Sequence, residues 1–352
     1  MTTFIQLHFL TAHAPANLNR DESGRPKTAI MGGVERLRVS SQSLKRAWRI
    51  SEAFSEQLGE NTGKRTQRIG RDYVYEPMIK ANVAPKKAQS AAEKIASQFG
   101  KLKSDKKASV EKNLETEQLV HISNHEIALI ESLVAALIAD DRDPTDDELK
   151  LLRKDQQSVD IAMFGRMLAS SPEFNVEAAC QVSHALGVSA VTVESDFFTA
   201  VDDLNNKDQD AGSAHMGEQG FASALFYTYL CINRDLLVEN LGGNEALANR
   251  AIAALVKASL TVAPTGKQNS FASRAYASYA LAEKGTQQPR SLAAAFFNPV
   301  RGEDQIHLAI ARLDDQRAKF DAVYGPCADA HVSFSVPDNQ GSLQALLDFV
   351  SQ

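Results

Sequence analysis

The 352-residue chain has no apolar run of roughly 18 residues, so a membrane-spanning helix is not expected. Its three cysteines, Cys180, Cys231 and Cys327, lie far apart and form no CxxC. That spacing excludes a zinc ribbon and a disulfide framework, and it suits a reducing cytoplasm. The opening MTTFIQLHFL lacks a basic leader and a cleavage pattern, and reads as a first strand. Catalytic signatures are missing too. There is no GxSxG and no GxGxxG, and TVAPTGKQ has Thr261 where a P-loop needs its first glycine. His121 and His125 stand four apart in HISNHE and could share a helix face. The order is not HExxH, no third ligand is suggested, and no metal or cofactor is expected. No segment carries the aromatic RNP1 pattern, so a sheet-face base platform is not supported.

What is present is an uneven charge distribution. The net charge is −6, which argues mildly against a nonspecific nucleic-acid coat. Yet RLRVSSQSLKRAWR, residues 36–49, has five basic side chains and no acidic one. Residues 20–49 hold eight basic and three acidic residues, a net of +5 that leaves −11 for the remainder. Period two puts Arg36 and Arg38 on one strand face and Leu37 and Val39 on the other. Ser40 and Ser41 offer caps for a helix starting near Gln42. On that helix Gln42, Lys45, Arg46 and Arg49 share one side. Leu44, Ala47, Trp48, Ser51 and Phe54 take the opposite side. A helix docked by one face, basic on the other and capped at its start, suits phosphate. The bland alternative is a solvated basic face that balances acids elsewhere.

Length alone suggests two or three domains or subdomains. Residues 3–10 read as a strand, 11–35 as a long polar connection, and 41–58 as a helix ending at Gly59. Residues 60–157 read as an inserted all-helical subdomain, rich in Ala, Lys, Glu and Gln. A short helix is expected over EAACQVSHALG, a strand over 188–193 and a polar acidic stretch over 195–220. ALFYTYLCI, 224–232, has strong β character. NEALANRAIAALVKASL reads as a helix opened by Asn244. AAAFFN, 293–298, reads as a strand followed by a helix over 303–322. The alternation fits an α+β core of ferredoxin-like type carrying insertions.

Several ordered segments resemble a known family. They are LNRD at 18–21, MGG at 31–33, VSSQSLKRAWR at 39–49, VDIAMFGRM at 159–167, DFFTAVDDL at 196–204 and GSAHMG at 212–217. Together they resemble the CasC-type backbone subunit of Cascade, the type I-E CRISPR interference complex. The resemblance is strong over 1–60 and 158–243 and faint elsewhere. It implies a modified ferredoxin-like, RRM-like palm carrying a helical fingers insertion and a protruding thumb loop. The matching boundaries are palm 1–59, fingers 60–157, palm 158–192, thumb 193–222 and palm 223–352. It also implies a non-enzyme. Copies stack along one CRISPR RNA with other Cascade subunits, and each thumb displaces one nucleotide. The remaining bases pair with target DNA, and a recruited helicase-nuclease does the cutting.

Residue by residue, the resemblance puts Arg20, Lys27, Ser40, Gln42, Lys45, Arg46 and Arg49 on the guide phosphates. It puts Met167 beside the kinked backbone, Phe198 and Thr199 on the thumb wedge, and His215 on the returning limb. Where the family often has Trp before the wedge, this chain has Phe197. Taken alone, Phe197 and Phe198 read better as core residues of a strand, and Met167 as core. His215 alone is an ordinary loop histidine, and Arg20 and Lys27 alone solubilise a loop. Residues 193–221 are acidic, with only Lys207 opposing seven carboxylates, so they cannot clamp phosphate. Two other functions stay open: an RNA-processing nuclease using a histidine such as His13, and a helical adaptor built on protein contacts alone.

Overall fold

A strand buried on both faces sets the centre of the fold. β1 (Phe4–Ala16) is buried from Ile5 to Leu10, and it runs six residues past the expected strand end. The computed structural model describes residues 2–153, 158–200 and 215–352. After β1 come β2 (Thr28–Met31) and β3 (Val34–Val39), so much of the expected polar connection is a hairpin. α1 (Ser41–Arg49) and α2 (Glu52–Leu58) follow, separated at Ile50–Ser51 within the expected single helix.

The insertion then holds β4 (Lys64–Thr66), a π-helical turn at Ile69–Tyr75, α3 (Glu76–Lys80), α4 (Pro85–Ala96) and α5 (Val110–Asn113). It continues with β5 (Val120–Ile122) and α6 (Asn124–Asp140). It is not wholly helical, because β4 and β5 pair antiparallel. Next come α7 (Val159–Phe164), β6 (Cys180–Val182), β7 (Ala185–Gly187), β8 (Glu194–Ala200) and β9 (His215–Asn233). The chain finishes with α8 (Arg234–Asn240), α9 (Glu245–Thr261), α10 (Gln268–Phe271), β10 (Ala277–Gly285), α11 (Gln305–Tyr324), β11 (Ala330–Ser335) and α12 (Leu343–Val350).

The main sheet runs β11-β10-β1-β9-β7-β3-β2, with β6 and β8 also pairing to β9. Its inner order β10-β1-β9-β7 is the 4-1-3-2 order of a ferredoxin-like fold. α1 lies in the connection from β1 to β7, and α9 in that from β9 to β10. The chain is therefore α+β, as expected. Asn244 opens α9 by accepting from the Leu247 N–H at 3.0 Å, and α11 lies where the last long helix was expected.

Three local readings fail. EAACQVSHALG gives β6 and β7 because its residues pair with β9 and β3, a long-range choice that overrides helical period. Residues 188–193 form no strand, although Val188 and Val191 are tied by backbone bonds to Leu225 and Glu35. AAAFFN is a 3-10 turn at Ala293–Phe296.

Two compact units result. One comprises Met1–Phe54, Val182–Cys231 and Ile252–Gln352. In it, alternate strand residues separate two packing faces. Leu10, Leu225, Tyr227 and Leu281 pack with Ala309 and Leu313 of α11. Phe9, Thr11, Phe226 and Thr228 line a small cavity with Leu44 and Trp48 of α1. A buried polar chain crosses this unit: His8 bonds Tyr227 Oη at 2.9 Å and Glu283 at 3.2 Å, and Arg290 grips the same carboxylate with both terminal nitrogens. Burial pushes the Glu283 pKa up, but the hydrogen bonds from His8 and Arg290 outweigh it and hold the carboxyl at about 2. The second unit, Ser55–Gln181 with Ile232–Ala251, has its own core around Ile69, Val74, Met78, Ala92, Ile95 and Phe99.

Candidate nucleic-acid interface

The cationic ledge begins with a helix whose two faces differ in chemistry. Leu44, Ala47 and Trp48 are buried, as is Phe54 beyond the break. Gln42 and Arg46 are exposed, and Lys45 and Arg49 are half-buried. Ser40 is the N-cap, with extended backbone and a hydroxyl that accepts from the Ser43 N–H at 3.4 Å. No acidic residue occupies the first turn, so nothing there neutralises the helix N-terminus.

Asn19 joins this helix to the preceding loop, a role the sequence reading missed. Its side-chain oxygen accepts from the Ser40 N–H at 2.9 Å, and its carbonyl accepts from the Lys27 N–H at 2.8 Å. Arg20 bridges to Pro26 across a turn that Asp21 closes by accepting from Ser23 and Arg25. Arg20, Lys27, Ser40 and the basic side of α1 thus belong to one hydrogen-bonded neighbourhood. Two further residues join it. Arg38 bonds His184 Nδ1 at 3.1 Å, and the same nitrogen lies 3.3 Å from the Ser41 N–H. Partial burial, then the charges of Arg38 and Lys27, lower the His184 pKa. Arg36 lies two residues from Arg38 in β3 but has different surroundings. It is buried and donates to the carbonyls of Gly187, Phe296 and Phe297. It is a structural arginine, and the sequence could not show it because those carbonyls come from distant segments.

The stretch over 193–222, in its described part, holds a strand pair. Every residue of β8 is exposed, and it pairs antiparallel with the start of β9. Phe197 is 65% exposed and Phe198 40%, which excludes the core reading of both. The register sets Phe197 opposite Glu218, Phe198 opposite Gly217 and Thr199 opposite Met216. Opposed residues share a face and neighbours alternate. Phe198 and Thr199 therefore point to opposite faces, while Phe197, Thr199 and the 63% exposed Met216 share one. The Phe198 ring lies across Gly217, where an added Cβ would meet its Cζ at 2.5 Å. His215 lies opposite Ala200. Residues 201–214, which include Asp202, Asp203 and the first half of GSAHMG, lie outside the described residues. Met167 belongs to the second unit and is 83% exposed, against its reading as core.

The profile of a family described as CT1975-like protein matches residues 5–348. The chain belongs to that family. Among solved structures, a chain of a "CRISPR RNA-guided surveillance complex, pre-nicking" superposes with a TM-score of 0.84 at 30% identity, over 99% of this chain and 98% of that one. A chain of a "CRISPR RNA-guided surveillance complex" superposes at 0.63 with 26% identity, over 99% and 98%. No curated protein matches.

Other chemistry in this CT1975-like chain finds little support among the described residues. His121 lies in β5, outside α6, because Ser123 caps that helix; the two histidines share no helix face. His121 instead bonds the buried Asp160 at 2.7 Å. No group of three or more His, Cys, Asp or Glu among the described residues could hold a metal. The near P-loop fails sterically as well: a Cβ at Gly266 would lie 2.2 Å from the Leu18 carbonyl, so that glycine serves a close backbone approach. His13 packs edge-on against Phe226 and bonds Ser273 Oγ at 3.3 Å. Burial lowers its pKa to about 4, only partly offset by Ser273, so it is neutral at pH 7 and holds no proton to donate as a general acid. No helix among the described residues is long and apolar enough to cross a membrane.

Proposed function

We propose that this chain is a non-catalytic backbone subunit of a type I-E Cascade complex. Copies pack along one CRISPR RNA beside other Cascade subunits, hold the spacer by its phosphates and leave bases free to pair with target DNA. In this reading the palm is 1–59, 158–192 and 223–352, the fingers are 60–157 and the thumb is 193–222. Cleavage of the DNA falls to a recruited helicase-nuclease. The chain works in the cytoplasm and needs no cofactor.

One observation carries the reading: α1 is docked by Leu44, Ala47 and Trp48, so Gln42, Lys45, Arg46 and Arg49 are left to the other side of a capped helix. A subunit that must accept any spacer cannot read bases, and its affinity must come from phosphate and sugar. Cations and small polar side chains meet that need without sequence preference. The family membership and the RNA-guided assemblies of the similar chains support the same reading. The arm adds an aromatic wedge, since stacking recovers part of the cost of parting two bases.

The test is to express the chain, purify it and size any RNA that survives nuclease. A ladder of protected lengths with a constant increment is the expected result. Protein free of nucleic acid, with no salt-sensitive affinity for single-stranded RNA, would leave only the protein-contact adaptor. Cleavage of repeat RNA that is lost in His13→Ala would favour the nuclease instead.

A further inference from the structure

Asn17 is 1% exposed, yet its side chain reaches a segment 203 residues away. Its Nδ2 donates to the Gly24 carbonyl and to the Gly220 carbonyl, both at 2.9 Å. Gly24 belongs to the loop that carries Arg20. Gly220 belongs to β9 at the root of the β8–β9 arm, opposite Ser195. Both amide hydrogens are used, one on each segment. Turning the amide over would set its oxygen against two carbonyls, so its orientation is fixed. The buried Oδ1 finds no hydrogen-bond partner among the described residues. An unpaired buried acceptor offsets much of what the two bonds contribute. The effect of the side chain is therefore geometric: it joins the loop to the arm.

The surroundings hold that junction in place. Gly266 presses on the backbone, since a Cβ there would lie 2.2 Å from Leu18 O and 3.3 Å from Asn17 O. On the arm side, a Cβ at Gly220 would lie 3.0 Å from Pro26 Cδ and 3.3 Å from Val193 Cγ1. Pro26 is buried and bridges Arg20. The same loop is tied to α1, because Asn19 accepts from the N–H groups of Lys27 and of the N-cap Ser40. Contacts thus run from Ser40 through Asn19, the loop and Asn17 to the root of the arm. Phe221, the next residue of β9, sets its ring 6.1 Å from that of Phe271 and anchors the strand separately.

We infer that Asn17 is a positioning residue: its two hydrogen bonds seat the β8–β9 arm on the loop that carries Arg20 and Lys27. The seat fixes where along a bound strand the arm crosses. Basic side chains grip phosphate at any point of a strand. An arm free to swing would part bases at no constant interval, whereas a seated one parts them at a fixed distance from the gripped phosphates. The inference rests on the guide-binding function proposed above.

The experiment assembles the full chain on single-stranded RNA carrying one fluorescent adenine analogue, moved position by position. Bright positions report unstacked bases. Asn17→Asp keeps the shape but turns oxygens towards both carbonyls. It should reduce the contrast between bright and dim positions about twofold, because both hydrogen bonds are lost. The slope of log affinity against log salt should stay at the parent value, since no phosphate contact is removed. Burial raises the pKa of the introduced carboxyl, and its protonated form can donate one of the two bonds again. Contrast in the variant should therefore recover in part as pH falls from about 8 to about 6, with a flat profile in the parent. Gly220→Ala disturbs the same seat from the arm side by crowding Pro26, and should give a similar loss; it decides the matter if Asn17→Asp does not fold. The double variant should lose no more than the larger single loss, since both act through one contact. A general loosening of the fold would lower contrast and salt slope together. That joint loss, parent-like contrast in the folded variants, a loss that ignores pH, or losses that add would overturn the inference alone. Parent protein that fails to retain RNA on a filter would remove the guide-binding function, and the inference with it.

Discussion

Lys45 and Arg49 stand on the side of α1 that faces away from Leu44 and Trp48, and both are half-buried. A lysine so placed meets phosphate as a point charge and reads no base. Lys45→Ala should weaken RNA binding equally for unrelated sequences. It should also lower the slope of log affinity against log salt by about 1, measured by filter binding across a salt series. A loss confined to one sequence would contradict a phosphate contact. His13 gives a residue-scale prediction of another kind. Its folded pKa of about 4 lies below the ordinary 6.5, so the fold favours the neutral ring. Its contribution is intact above 6.5 and is lost as pH falls from 6.5 towards 4, by up to about 3 kcal/mol. Replacing His13 with Gln should flatten the urea-derived stability curve across that window. An unchanged curve would mean that the imidazole titrates normally.

At the scale of elements, the β8–β9 arm is a two-faced ribbon. One face offers Phe197 and Met216, and on the other Phe198 lies across a glycine. The pairing braces the ring as aromatic–glycine pairs do in sheets. Gly217→Ala would place a methyl group against the ring's far edge and swing it off the ribbon while strand pairing survives. The variant should therefore reproduce the Phe198→Ala defect in nucleotide displacement, read with the fluorescent base, and leave the salt slope unchanged. A parent-like displacement pattern would show that the seat over Gly217 is irrelevant. α1 is an element of the opposite kind, fixed by its packing and its cap, so its basic side keeps one orientation.

At the scale of the whole molecule, a chain of net −6 carries a +5 segment at residues 20–49 and an acidic stretch at 193–221. Acids there cannot hold phosphate, but their charge is opposite to that of the basic segment, so a contact between copies would pair the two. A head-to-tail contact that does not close generates a helical filament. Asp202→Lys or Asp203→Lys, in the part of the arm outside the described residues, should lower assembly on long RNA more than binding of one subunit to a short oligonucleotide. Sedimentation and filter binding compare the two, and equal losses would count against a contact between copies.

Local chemistry was legible wherever a short segment decides its own structure. Ser40, Leu44 and Trp48 define a capped helix with a buried side through nearest-neighbour geometry alone. Asn244 before an apolar period does the same for α9, and the β character of residues 224–232 needs no partner to be seen. What the sequence could not contain is the identity of distant partners. Arg36 and Arg38 look alike two residues apart, yet only Arg36 meets carbonyls from Gly187 and Phe296 and turns inward. Residues 180–187 carry helical period but become strands, because β9 and β3 supply the backbone partners. Phe197 and Phe198 look like core until their strand is seen to be exposed along its length. Arg166 turns inward to Glu126, forty residues upstream. Hydrogen-bond satisfaction and burial are settled between segments far apart in the chain, and only the tertiary structure brings those segments together.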